Sequence, residues 1–239
     1  MGAVADSWRE RIDAVRREVA GHARRVGRDP GDVTIVGVTK TLPPQAVAVA
    51  FRSGLTDVGE NYVQEARDKR AHSPEAVRWH LIGTLQRNKA RLAARVFDRV
   101  HSLDTLAAAE ALAEARVALG QRLPVLLQVD TAPERKRHGV PADALPGLAE
   151  RVLGLPGLAL DGLMTIAPAG AVGEAARGHF RALREVRDHL ARRLGVELPH
   201  LSMGMSDDFV VAVEEGATML RLGRVLFGAR GLAAWREGS

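Results

Sequence analysis

The sequence predicts an α/β fold: a single (β/α)8 TIM barrel with an extra N-terminal helix. Three observations predict it. Short apolar runs alternate with longer amphipathic stretches along the chain, the rhythm of strands feeding helices. The runs do not alternate polar with apolar, as expected of parallel strands covered on both faces. Eight such units and one leading helix use nearly all of the 239 residues, and an α/β barrel reaches about 250 residues as one domain.

The leading helix falls within residues 1–30. Ser7-x-x-Glu10 reads as a capping box at its start. Trp8, Ile12, Val15, Val19 and Val26 recur at helical spacing, and Gly27 and Pro30 close it. The strand runs are Val33–Val38, Asp57–Gly59, Trp79–Ile82, Arg99–Leu103, Val125–Val129, Leu160–Ile166, His200–Met203 and Met219–Leu222. The helical stretches between them are Pro44–Ser53, Tyr62–His72, Gln86–Phe97, Thr105–Leu119, Ala142–Leu153, Gly173–Leu194 and Asp208–Glu215. An open doubly wound sheet is the alternative. Its Gly-rich dinucleotide fingerprint is missing after the first strand, where Val38-Thr39-Lys40-Thr41-Leu42 stands. No low-complexity linker divides the chain, so residues 1–239 read as one domain.

Composition narrows the chemistry. The chain has no Cys, which excludes thiolate catalysis, Fe–S clusters and Cys-based zinc sites and fits a reducing compartment. No stretch approaches the ~18 apolar residues of a membrane span. Charges at Arg9-Glu10-Arg11 stand where a signal peptide needs apolar residues. The expectation is a soluble, cytoplasmic protein with no membrane partner. Lys and Arg total 34 against 29 Asp and Glu, a net charge of +5. The charges are mixed, as in Glu65-Ala66-Arg67-Asp68-Lys69-Arg70, and aromatics make up only 4%. That pattern reads as a solvated surface and not a nucleic-acid face. The eight His show no ligand spacing, so no metal is expected.

In a barrel of this type the site forms at the C-terminal ends of the strands. The first strand ends in Lys40, one of four lysines with Lys69, Lys89 and Lys136. A lysine at an apolar barrel mouth loses solvation, which favours the free amine and a Schiff base with a carbonyl compound. The plain alternative is a lysine that snorkels at a strand end. Ser202-Met203-Gly204-Met205-Ser206-Asp207-Asp208 follows the seventh strand, and Gly223 follows the eighth. Small residues there suit an anion, and loops seven and eight of this fold often hold phosphate. Ser206 or Asp207 as a simple helix cap is the competing explanation. Arg221 sits in an apolar strand and needs a partner, either a protein carboxylate or a ligand. His80, inside Trp79-His80-Leu81-Ile82, is either a satisfied core histidine or a ligand contact. Residues 131–139 form a charged loop.

An amine at one strand end and a phosphate cradle across the barrel suggest pyridoxal 5′-phosphate (PLP). The sequence also resembles the YggS/PROSC family, the pyridoxal phosphate homeostasis proteins. The resemblance is carried by Val38-Thr39-Lys40-Thr41, Gly59-Glu60-Asn61-Tyr62-Val63-Gln64-Glu65, Trp79-His80-Leu81-Ile82-Gly83-x-Leu85-Gln86-x-Asn88-Lys89, Gly162-Leu163-Met164, Leu201-Ser202-Met203-Gly204-Met205-Ser206-x-Asp208 and Arg221-Leu222-Gly223-x-x-x-Phe227-Gly228-Ala229-Arg230. These stretches span almost the whole chain, in order.

The resemblance implies a barrel like the N-terminal domain of alanine racemase, with PLP as a Schiff base on Lys40. It implies that the Ser202–Ser206 loop, Gly204 included, and Gly223 hold the phosphate, with Arg224 beside them. Arg221 then faces the pyridine nitrogen, and Asn61 and His80 line the site. The chain departs from the family at Thr84, where many members have Pro, at Arg224, where many have Thr or Ser, and at Lys136-Arg137-His138-Gly139.

The implied function is intracellular PLP homeostasis: the cofactor is held and exchanged, without robust catalysis. The recipients would be PLP-dependent apo-enzymes, and the chain would act as a monomer. A guanidinium at the ring nitrogen keeps that nitrogen unprotonated and the ring a poor electron sink. A PLP-dependent amino-acid racemase is the alternative, and it needs acid–base groups on both faces. Lys40 supplies one, and nothing in the sequence places Tyr62 on the other. A Schiff-base aldolase using Lys40 without a cofactor is a third possibility.

Overall fold

The structure is a computed structural model that describes residues 2–132 and 138–228. Lys136 and Arg137 of the charged loop, and Ala229 and Arg230 of the last family stretch, lie outside the described residues.

Eight parallel strands close into a barrel in chain order. They are β1 (Thr34–Val38), β2 (Asp57–Glu60), β3 (Arg78–Leu81), β4 (Arg99–Leu103), β5 (Leu123–Gln128), β6 (Leu158–Met164), β7 (His200–Ser202) and β8 (Met219–Leu222). The first and last strands close the ring, with Thr34 opposite Met219 and Gly37 opposite Leu222. Every expected strand is present, with ends displaced by one or two residues at most of them. The helices are α1 (Gly2–Arg25), α2 (Pro44–Arg52), α3 (Val63–Arg70), α4 (Ala90–Val96), α5 (Leu106–Val117), α6 (Leu145–Leu153), α7 (Arg177–Leu194), α8 (Phe209–Glu214) and α9 (Arg224–Phe227). The stretches expected as Gln86–Phe97 and Gly173–Leu194 each open on a short 3-10 turn, at Arg87–Lys89 and Gly173–Ala176. The short α9 was not expected.

The core is the shell between strands and helices. Small residues let helices sit close to the sheet: Ala90, Ala93 and Ala94 of α4, and Ala108, Ala109 and Ala113 of α5, are all buried. Trp79, Phe97 and Phe180 are the largest side chains sealed inside among the described residues. Burying each such aromatic contributes on the order of 2–3 kcal/mol.

The leading helix packs on α2, α8 and α9 through Trp8, Ile12, Val15 and Val19. Trp8 meets Phe227 edge-on, with ring centroids 4.7 Å apart. Two expectations fail here. Ser7 is not a cap, because the helix starts at Gly2 and runs through the box. The reason is tertiary: Val4 and Ala5 pack against the core, and Ser53 Oγ donates to the Ala5 carbonyl at 3.0 Å. Val26 is exposed, since the helix stops at Arg25 and Gly27 turns the chain away at φ 71°. No helix among the described residues is long and apolar enough to cross a membrane.

If α1 is part of the fold and not an appendage, Ile12→Ala should lower stability by about 2–5 kcal/mol. Urea unfolding measures it, and a change under ~1 kcal/mol would show α1 to be dispensable.

Candidate functional site

The mouth of the barrel, at the C-terminal ends of the strands, opens into a cavity of about 680 Å³. Of the residues expected at a site, Lys40, Asn61, Ser206, Arg221, Gly223 and Arg224 line it. His80, Ser202 and Gly204 do not; they lie buried beneath it. Thr84 and His138, from the departures noted above, also line it, as do Lys89 and the buried Gln128.

Lys40 follows β1 on a turn that lifts it clear of the strands, so the side chain is exposed and not desolvated as expected. No hydrogen bond or ion pair ties its ammonium to any described residue. The turn itself is held firmly. Thr41 has φ 67°, an unusual value for a β-branched residue, and its N–H donates to Glu65 Oε1 at 2.8 Å. The preceding Thr39 is buried, and its hydroxyl donates to Glu60 Oε1 at 2.6 Å. Lys69 Nζ donates to the Thr39 carbonyl, Glu60 Oε1 and Glu65 Oε1, each at 2.7 Å.

Among the described lysines Lys69 is therefore the buried one, 3% exposed. It belongs to the Glu65–Arg70 stretch that reads as solvated surface in sequence. Burial pushes the Glu60 carboxyl up, against the hydrogen bond and charge of Lys69. Glu60 Oε2 has no hydrogen-bond partner among the described residues.

Across the cavity, Arg221 on β8 is 4% exposed. No carboxylate among the described residues touches it. Its Nη1 donates to Ser202 Oγ at 2.6 Å and its Nη2 to the Thr165 carbonyl at 2.8 Å. Burial lowers its pKa to about 10, with Asp208 opposing the shift from a distance. The guanidinium remains charged at neutral pH.

Beneath Arg221 a line of buried polar groups crosses the barrel. Ser202 Oγ is 2.8 Å from His101 Nδ1, His101 Nε2 is 2.9 Å from His80 Nδ1, and His80 Nε2 is 2.9 Å from Asp57 Oδ1. Arg78 closes the far end on both Asp57 oxygens, at 2.9 and 2.7 Å. Both ring nitrogens of His80 are thus occupied within the protein. Burial alone would raise the Asp57 carboxyl, but hydrogen bonds from His80 and Arg78 outweigh it and hold the group well below the usual carboxylate range. Burial, reinforced by the nearby His80 and Arg221, drives His101 well below an ordinary histidine.

The loop after β7 is built for tightness. Gly204 has φ 93°, and a Cβ there would lie 2.6 Å from Ala212 Cβ. Its glycine serves packing under the loop, not an approach to the cavity. Asp208, and not Ser206 or Asp207, occupies the N-cap position of α8, and its Oδ1 accepts from Met205 N at 2.5 Å. Ser206 Oγ faces the cavity rim and accepts from Val225 N at 3.3 Å. Gly223 is different from Gly204: a Cβ there would meet nothing closer than Val38 at 3.5 Å, an ordinary contact. Packing does not demand a glycine at 223, and its bareness leaves cavity space instead. Arg224 is exposed at the rim and paired with Asp207.

Asp57, His101, Lys69 and Glu60 were missed as site residues. A signal existed for one of them: His101, like His80, is a polar residue in the middle of an apolar strand run. Among the described residues no cluster of His, Asp or Glu is arranged to hold a metal.

Two stability effects follow. Lys69→Met leaves Glu60 buried and unpaired, and should cost about 3–5 kcal/mol by chemical denaturation. Because the folded state disfavours protonated His101, the unfolded chain binds more protons below about pH 6.5. Stability should therefore be full above that pH and decline as pH falls below it. His101→Gln should flatten that part of the profile, and an unchanged slope would contradict it.

Comparison with known proteins places this geometry in company. Residues 11–231 match the family description "Alanine racemase, N-terminal domain". The chain is 44% identical over 226 residues to the pyridoxal phosphate homeostasis protein of Pseudomonas aeruginosa, covering 94% of this chain and 96% of the relative. It is 40% identical over 222 residues to the protein of the same name from Aquifex aeolicus, covering 92% and 97%. The structure of PipY from Synechococcus elongatus, with PLP bound, superposes with a TM-score of 0.82 at 35% identity, covering 92% of this chain and all of that one.

Proposed function

Since the chain belongs to the pyridoxal phosphate homeostasis proteins, within the alanine racemase N-terminal domain family, we propose that it binds pyridoxal 5′-phosphate, serves intracellular PLP homeostasis as a carrier, and is not a conventional enzyme. The observation that carries this is one cavity with, on one side, a lysine that has no partner among the described residues and, on the other, a buried arginine.

The residues present fit the cofactor. A volume of about 680 Å³ is within the ~300–1,000 Å³ of small-molecule sites. Lys40 would supply the amine for a Schiff base with the aldehyde, the covalent tether that PLP offers when bound. Ser206 and Gly223 would hold the phosphate, with Arg224 adding charge if it shared or left Asp207. Arg221 would present its cation to the ring nitrogen, and Asn61 would border the ring. Residues 1–239 act as one PLP-binding domain.

The charge on Arg221 argues against strong catalysis. A cation held there keeps a ring nitrogen unprotonated, which weakens the ring as an electron sink. Tyr62 is 68% exposed at the rim, a poor setting for a proton-transfer group, which needs a shielded environment. No observation favours the racemase alternative. The exposed Lys40 suits exchange: the tether is reachable by water and by competing amines. The protein acts as a cytoplasmic monomer and passes its cargo to PLP-dependent apo-enzymes.

Purified protein incubated with PLP should turn yellow, and Lys40→Ala should lose that absorption. Mass spectrometry after borohydride reduction should find a pyridoxyl group on Lys40. A wild type that stays colourless with added PLP overturns the proposal.

A further inference from the structure

The buried line from Arg221 to Asp57 has a direction, and the hydroxyl of Ser202 sets it. Arg221 Nη1 can only donate, so it fills one lone pair of Ser202 Oγ. The serine proton then has one acceptor among the described residues, His101 Nδ1 at 2.8 Å. An accepting Nδ1 puts the ring proton of His101 on Nε2. That nitrogen faces His80 Nδ1 at 2.9 Å, which must in turn accept. His80 therefore carries its proton on Nε2 and donates to Asp57 Oδ1. Reversing any link leaves either two donors facing each other or a buried hydroxyl proton unpaired, which is costly.

We infer that Arg221, Ser202, His101, His80 and Asp57 form a one-way donor chain that fixes how Arg221 presents its guanidinium to the cavity. Ser202, His101 and His80 are then positioning residues for Arg221, and Ser202 is not a phosphate ligand. The chain begins on a cation and ends on a carboxylate that Arg78 also holds. Each link is inside the barrel: Ser202 and His101 are fully buried, and His80 and Asp57 are nearly so. The guanidinium of Arg99, with that of Arg221, reinforces the unprotonated Nδ1 by disfavouring a second ring proton. With Nη1 given to Ser202 and Nη2 to the Thr165 carbonyl, the planar fork has one fixed roll about its axis. Any ring facing Arg221 meets donors in a single direction.

The hydrogen-bond direction stands without a ligand; only its use toward the cofactor rests on the proposed PLP binding. Nitrogen-15 NMR of the ligand-free wild type at pH 7, with His80→Gln and His101→Gln used for assignment, should show both rings neutral with the proton on Nε2. A proton on Nδ1 of either ring, or a doubly protonated ring, overturns the chain.

A second arm separates positioning from phosphate binding. Affinities for PLP and for pyridoxal, which lacks the phosphate, are measured in wild type, Ser202→Ala, Ser202→Thr and His101→Leu. Ser202→Ala and His101→Leu should weaken both compounds by the same factor, about tenfold or more, and Ser202→Thr should recover most of it. Loss confined to PLP in Ser202→Ala would make the serine a phosphate ligand, and no loss for either compound would show that the chain does not orient Arg221. If Lys40→Ala still forms the coloured adduct, the functional proposal falls while the NMR result continues to judge the chain by itself.

Discussion

A guanidinium sealed inside a barrel, with no carboxylate among the described residues touching it, constrains everything around it. Arg221 is satisfied by a hydroxyl and a peptide carbonyl, which supply dipoles but no compensating charge. The nearest acid to register on it, Asp208, acts through space. Such a cation survives burial only if the dipoles around it are oriented and cannot turn away. The interior of this barrel is accordingly polar where an ordinary one is filled by branched aliphatic residues. Ser202, His101, His80 and Asp57 replace four side chains that packing alone would have made apolar.

The other half of the mouth uses the opposite arrangement. Around Lys40 the charges are paired directly, Lys69 against Glu60 and Glu65, and the purpose is rigidity of a turn. Three anchors fall within the Thr39–Thr41 turn, two on Thr39 and one on Thr41, whose backbone takes an angle that a free chain would avoid. Buried ion pairs of this kind add little net stability but penalise any alternative arrangement heavily. One side of the cavity thus spends charge on shaping the backbone, while the other keeps its charge for whatever enters. The lysine that is free to react and the lysine that is locked are twenty-nine residues apart and joined through Thr39.

Much of this was legible in the sequence. Parallel strands covered on both faces read as apolar runs, so all eight were visible, and the strand-end rule located Lys40, Asn61, Ser206, Gly223 and Arg221. What failed has common physical roots. The Ser7 box is a valid local signal outvoted by the packing of Val4 and Ala5. Facing is set by a side-chain period of two, so a residue near a strand end lies either at the mouth or in the interior, and sequence does not say which. Ser202 and His80 fell on the interior side. Lys69 was hidden by its neighbours: Arg67 and Asp68 beside it do face water and Glu65 and Arg70 are only half-buried, and only the meeting of α3 with the end of β2 reveals the one that is sealed. The exposure of Lys40 depends on the Thr39–Thr41 turn, which three-body contacts create.

Closure of the ring by β1 and β8 has a consequence for biosynthesis. These strands are joined through pairs such as Val36 with Arg221, separated by nearly the whole chain. Long-range pairing of this sort is slow to nucleate, and the ribosome delivers β8 last. Until then Asp57, His80 and His101 line an unclosed, water-accessible sheet, where exposure costs them nothing. The arrival of Arg221 both shuts the barrel and gives Ser202 Oγ its donor, so sealing the wall and completing the polar line inside it are one event in the nascent chain.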